Sequence, residues 1–240
     1  MDQQTPVAVP KATIRPFQAI LTSMWEHYNR RFKLFLMLAG IANINLILYI
    51  VVHQLNVNFI VSNIITFVIS LAGIFFAVWA GLGLVFVISH PEKATTVEQA
   101  LNQGGAFFFK SFTTGLLVSL WVLLGLILLI IPGIYWSILY GLSTYIVFKE
   151  GLANSAALQR SKALVKPVWL TVLWRTLGIG LVFGLVYILV TSVTNLGFTF
   201  LPDRLAILGK DIIGAGLNVL VFPFSTILLS IIYEDVTKKA

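Results

Sequence analysis

From Leu34 onward, long apolar runs separated by short polar links dominate the chain, and they predict six membrane-spanning helices. The spans fall at about 34–52, 63–88, 112–131, 134–148, 168–194 and 212–233. Phe112–Ile131 is the clearest of them, twenty residues without a charge. Pro132-Gly133 is expected to end it, because proline cannot extend a helix and glycine accepts turn geometry. The stretch Phe59–Ser89 exceeds the ~20 residues a bilayer needs, which predicts tilt or projection. Pro223, near the middle of span 6, predicts a kink.

The links carry patterns of their own. Ile14, Phe17, Leu21, Met24, Trp25 and Tyr28 recur at three- and four-residue steps, with Gln18, Thr22, Glu26, Asn29 and Arg30 between them. This predicts an amphipathic helix over 14–33, lying on the inner membrane surface. Thr95-x-x-Glu98 reads as a capping box opening a second helical link, and 151–166 as a third. Each odd-numbered span thus follows a helical link, a faint sign of three parallel helix-plus-hairpin units. Residues 1–13, with Pro6 and Pro10, are expected to be a disordered tail, and 236–240 a short cytoplasmic one. The first long apolar run starts too late for a cleavable signal and reads as an uncleaved span. The fold class is all-α: a polytopic transmembrane helical bundle of six spans over 34–235, with cytoplasmic amphipathic helices.

Composition agrees. The chain of 240 residues is 58% apolar and 10% charged, with a mean hydropathy of +0.95. Soluble domains hold about 45–50% apolar and about 25% charged residues. So few charges cannot cover a water-facing surface, and the solvent for most of the chain is expected to be lipid. Charge then orients the spans. Lys11, Arg15, Arg30, Arg31, Lys33, Lys93, Lys110, Lys149, Arg160, Lys162, Lys166, Arg175, Lys238 and Lys239 all fall on one side of the predicted topology. Only Arg204 and Lys210 fall on the other. The positive-inside bias makes the crowded side cytoplasmic and puts both termini there. The expected location is a cell membrane, with anionic headgroups at the cytoplasmic face as partners. The net charge of +7 does not indicate nucleic acid, because the basic residues flank spans and form no basic domain.

Chemistry is sparse. The absence of Cys excludes disulfides, thiolate nucleophiles and Cys-ligated metals. His27, His53 and His90 lie at separate predicted interfaces, so no shared metal site is expected. No acid or base falls well inside a predicted span, which argues against ion-coupled transport and intramembrane acid–base catalysis. Small residues four apart recur at Gly73-x3-Ala77-x3-Gly81, Gly115-x3-Ser119 and Gly180-x3-Gly184, as closely packed membrane helices use them. Asn43, Asn45 and Asn218 read as buried amides bonding between helices. In span 4, Ser137, Tyr140, Gly141 and Thr144 share a helical face that lines a cavity or, more simply, bonds to neighbouring backbone. Glu150 and Arg160 either pair across the following link or stay solvated.

Ile131-Pro132-Gly133-Ile134-Tyr135, Tyr140, Phe148-Lys149-Glu150-Gly151, then Ala156-Ala157-Leu158-Gln159-Arg160-Ser161 and Leu164 form a longer pattern. It resembles the membrane domain named for glycerophosphoryl diester phosphodiesterases and related six-span prokaryotic proteins, the specific part being about residues 130–165. The segment from Ile20-Leu21 to Trp25 and Phe32 is similar to the way those domains begin. The resemblance implies a six-helix membrane domain, sometimes fused to a catalytic phosphodiesterase barrel. That barrel is expected to be absent here, so its activity does not transfer. The matching positions Pro132, Gly133, Gly151, Glu150, Arg160 and Ser161 are implied to be structural or interaction residues.

The expected function is therefore non-enzymatic and without cofactors: a membrane accessory or binding protein for lipid-like or glycerophosphodiester molecules, or for a protein partner or second copy. A facilitative transporter or channel for a small polar solute is the alternative, and a lipid-modifying enzyme ranks last.

Overall fold

The computed structural model describes residues 14–54 and 58–238, and among them it holds eleven α-helices, one 3-10 turn and no strand. The expected disordered tail, 1–13, lies outside the described residues, as do Lys239 and Ala240 of the expected C-terminal tail. The helices are α1 (Phe17–Arg30), α2 (Phe32–Ala42), α3 (Ile44–Gln54), α4 (Phe59–Ser89), α5 (Val97–Gly105) and α6 (Phe108–Leu128). They continue as α7 (Ile130–Tyr140), α8 (Ser143–Glu150), α9 (Asn154–Val165), α10 (Trp169–Phe198) and α11 (Asp203–Thr237). Five continuous stretches are long and apolar enough to cross a membrane: α4, α6, α7 with α8, α9 with α10, and α11. A sixth exists if α2 and α3, which meet at 49°, form one bent crossing.

Several boundaries differ from those the sequence predicts. The break between α6 and α7 lies at Leu129, which is extended (φ −169°, ψ 154°), and not at Pro132-Gly133. Pro132 occupies the first turn of α7, where its missing N–H has no acceptor to lose. The link between the predicted fifth and sixth spans is helical for most of its length, since α10 runs to Phe198 and α11 starts at Asp203. The capping box is one residue later than expected: Thr96 caps α5 and Gln99 reaches back to it. Pro223 is buried inside α11, where it takes one donor out of the helical ladder.

Burial is uneven along the bundle. Ala80–Ser89 of α4, Leu139–Phe148 of α7 and α8, and Ile227–Val236 of α11 hold most of the core, gathered at one end. The amphipathic α1 packs its Ile20, Met24 and Tyr28 into that core against α11, with Tyr28 stacked on Phe224 at 4.6 Å. Its helical period is the expected one, but Trp25 is turned outward, 58% exposed. At the other end Phe59, Phe67, Ile127, Ile131, Leu189 and Phe200 stand open, an arrangement only an apolar surrounding tolerates.

Glycines set the closest contacts. Gly83 of α4 meets Gly104 of α5, Gly125 of α6 meets Gly133 of α7, and Gly73 packs on Asn45. Gly180 and Gly184, by contrast, face open space on α10. Asn43 and Asn218 donate to carbonyls of their own helices, Ala39 and Gly214, and not between helices.

Candidate functional site

The compact end of the bundle is also its basic end. Helix α4 stops at Ser89, leaving carbonyls that need partners. Lys149, in the last turn of α8, donates to Ser89 O at 2.9 Å. Arg31, between α1 and α2, donates to Ala94 O at 2.8 Å and to Pro91 O, tying down the link beyond α4. These two anchors, together with Arg30 and His27 of α1, enclose a cavity of about 350 Å³ whose far wall is Tyr145, Tyr233 and Glu234.

The charge balance of that cavity is one-sided. Among the described residues no carboxylate lies within ion-pair distance of Arg30, Arg31 or Lys149. The one acid on the wall, Glu234, is held by Arg15 at 3.3 Å. Three cations whose partners are at most neutral carbonyls keep donors and charge that an anion with several acceptor oxygens could use. His90 borders this region: its ring lies 5.1 Å from that of Phe86, and Nδ1 is 3.0 Å from Ser89 Oγ. Burial, followed by the nearby Lys93 and Lys149 charges, lowers its pKa from the usual value.

A second polar group joins four elements. Arg160 Nε of α9 donates to both oxygens of Glu150, at 3.0 and 3.1 Å, and Tyr233 of α11 donates to Glu150 Oε1 at 2.7 Å. The turn that permits this pairing closes on Gly151, at φ +72°, a left-handed cap that glycine adopts without strain. Ser161 is fully buried, and its hydroxyl donates to Leu139 O at 2.6 Å, securing α9 to the last turn of α7. Glu150, Arg160 and Ser161 therefore work as one brace around the α8–α9 turn.

The expected span 4 is carried by α7 and α8, which run as one stretch over Ile130–Glu150 with a turn at Gly141-Leu142; Ser137 and Tyr140 lie on α7 and Thr144 on α8. Ser137 donates to Ile134 O in its own helix, Tyr140 is buried near Trp121, and Thr144 lines a groove. At the opposite end of the bundle a separate cavity of about 330 Å³ lies between α3, α10 and α11, with Asn195, Lys210, Asp211 and Asn218 on its wall. Among the described residues no three His, Asp or Glu side chains gather as metal ligands would.

Two features escape sequence reasoning. The cation cavity is assembled from four distant segments, and its trace in the chain is that Arg30-Arg31 and Lys149 each flank an apolar run. Arg15 bonds to Asp235 through both its backbone N–H, at 3.0 Å, and Nε, at 2.6 Å, joining the two ends of the described chain. Comparison of the chain with protein-family models, with curated proteins and with solved structures finds no match.

Proposed function

We propose that the chain is a six-span protein of a cell membrane, both termini cytoplasmic, that binds a phosphate-bearing lipid headgroup or glycerophosphodiester at its basic end without catalysing a reaction. The observation that carries this reading is the cavity bounded by Arg30, Arg31 and Lys149, three cations with no carboxylate partner among the described residues. Its position fits: basic pockets between spans on the cytoplasmic side suit anionic headgroups. The positive-inside count supports the orientation, and the Arg15–Asp235 bond, which brings both chain ends to one face, supports an even number of crossings. The likeness to the glycerophosphodiester-associated membrane domain belongs to the same proposal and rests on the residues quoted for it. So does a role in anchoring a protein partner through the Glu150–Arg160 face.

Native mass spectrometry on protein released gently from its membrane tests the binding. A retained anionic phospholipid identifies the headgroup source, while a small soluble phosphodiester identifies the other. Arg30→Gln, which removes a cation with no structural bond, should weaken retention by about tenfold or more, the effect of one charge-assisted contact. No retained phosphate compound, or retention indifferent to Arg30→Gln and Lys149→Gln, refutes the reading.

The polar cavity around Asn195, Lys210 and Asp211 at the other end favours one second reading, a facilitative path for a small polar solute. Flux of such solutes into proteoliposomes decides for it; sealed liposomes decide against it.

A further inference from the structure

A groove of about 530 Å³ runs along the side of the bundle between α4, α6, α8 and α11, on a different face of α8 from the cation cavity: Thr144 lines the groove, whereas its neighbour Tyr145 lines the cavity. The floor is small. Gly81 faces only Phe222, 3.9 Å from where a Cβ would lie, and a Cβ on Gly115 would meet nothing within 4 Å. The rim is apolar and open sideways, with Val78, Phe112 and Leu116 each 41–58% exposed. An occupant enters such a groove from the surrounding lipid and not from water.

The hydroxyls decide what the occupant is. In the apolar helices Ser70, Thr191, Thr194, Ser225 and Ser230 donate to carbonyls of their own helix, as hydroxyls without better partners do. Of the five hydroxyls on the groove only Ser225 does so; Ser111, Ser119, Thr144 and Thr226 make no hydrogen bond among the described residues. Ser111 is the sharpest case, 7% exposed with its Oγ buried and unpartnered. A buried donor left unsatisfied is costly, most of all away from water. Ser111 lies in the first turn of α6 and Ser119 about 12 Å deeper, so the donors are staggered inward from the basic end. The matching ligand carries acceptors without donors near one end and an apolar chain beyond. An ester-linked glycerolipid has that layout.

We infer that this groove holds an ester-linked glycerolipid, with its glycerol–ester region bonded by the Ser111 and Thr144 hydroxyls and one acyl chain lying over Gly81 and Gly115. The site is separate from the headgroup cavity, so either one can fail without the other.

Photolabelling in proteoliposomes with a diacyl phospholipid bearing a diazirine on one acyl chain tests the assignment. Labelled peptides should map to 77–85, 108–119 and 222–226 in preference to the exposed Leu181–Leu185 face of α10. Gly115→Leu, whose Cβ meets nothing within 4 Å and whose side chain occupies the floor, should reduce groove labelling to the α10 level. The paired Ser111→Ala and Thr144→Val variant, which keeps the packing volume, should do so in part, and a diether analogue should label less than the diester. Labelling no stronger in the groove than on α10, labelling unchanged in Gly115→Leu, or equal labelling by the diether would each overturn the inference. A chain-to-chain cross-link through the groove would overturn it in favour of a second copy.

Discussion

A Cβ placed on Gly125 would lie 2.8 Å from the Cα of Gly133, so the two arms of the α6–α7 hairpin meet backbone to backbone. Gly133 in turn has Leu126 packed over it. Alanine at either position should lower the melting temperature in detergent, by the equivalent of about 1–3 kcal/mol for overpacking. Gly180→Ala serves as the contrast. Its Cβ meets nothing and the helix gains propensity, so stability should hold or rise slightly.

Glu150 accepts from Arg160 and Tyr233 together. The pair is partly exposed, with Arg160 at 43%, so the ionic part is worth only about 0–1 kcal/mol. Arg160→Ala should therefore cost little. Glu150→Arg should cost more, because it also strands the Tyr233 hydroxyl and repels Arg160. Thermal unfolding that ranks these two variants the other way, or leaves Glu150→Arg unchanged, removes the brace from the account.

Asp235 is 4% exposed, and its two oxygens are each bonded by Arg15. Replacing it with Ala leaves the guanidinium and a backbone N–H short of their strongest partner. The expected loss is about 1.5–3 kcal/mol, the usual worth of a bond to a charged group. Limited proteolysis near Arg15 provides the readout: cleavage should accelerate in Asp235→Ala before the rest of the bundle becomes susceptible.

His90 supplies a pH dependence with a definite sign. Its folded pKa lies below 6.5 because burial, with Lys93 and Lys149, opposes its charge, while Glu92 alone favours it. Between the folded value and 6.5 the unfolded chain holds the extra proton, so stability rises with pH. Acidification through and below 6.5 should therefore lower the melting temperature, and His90→Gln should flatten that part of the curve. Equal slopes in the two proteins would place the dependence elsewhere.

How much of this the sequence reveals depends on range. Apolar run length and the α1 periodicity are local signals, and helices occupy those stretches, because the helical ladder closes within four residues. Boundaries suffered where a strong local rule competed with geometry. Pro132 reads as a terminator but fits the first turn of α7, and Leu129 breaks the chain with no residue type to announce it. Span 4 reads as one hydroxyl face from its spacing, but spacing does not say what each hydroxyl meets: Ser137 bonds Ile134 O in its own helix, whereas Thr144 lines a groove. The cation cavity and the Arg15–Asp235 bond depend on segments far apart in sequence meeting at one end, which no periodicity encodes.

That last bond also puts a clock on synthesis. Arg15 and Asp235 are separated by 220 positions, so the first helix leaves the ribosome long before its partner exists. Until α11 has been made, the apolar stripe of Ile20, Met24 and Tyr28 has no permanent berth and must wait in the interface or with a chaperone. Closing the contact is thus a completion step, late by necessity, because nothing made earlier supplies the Asp235 carboxylate.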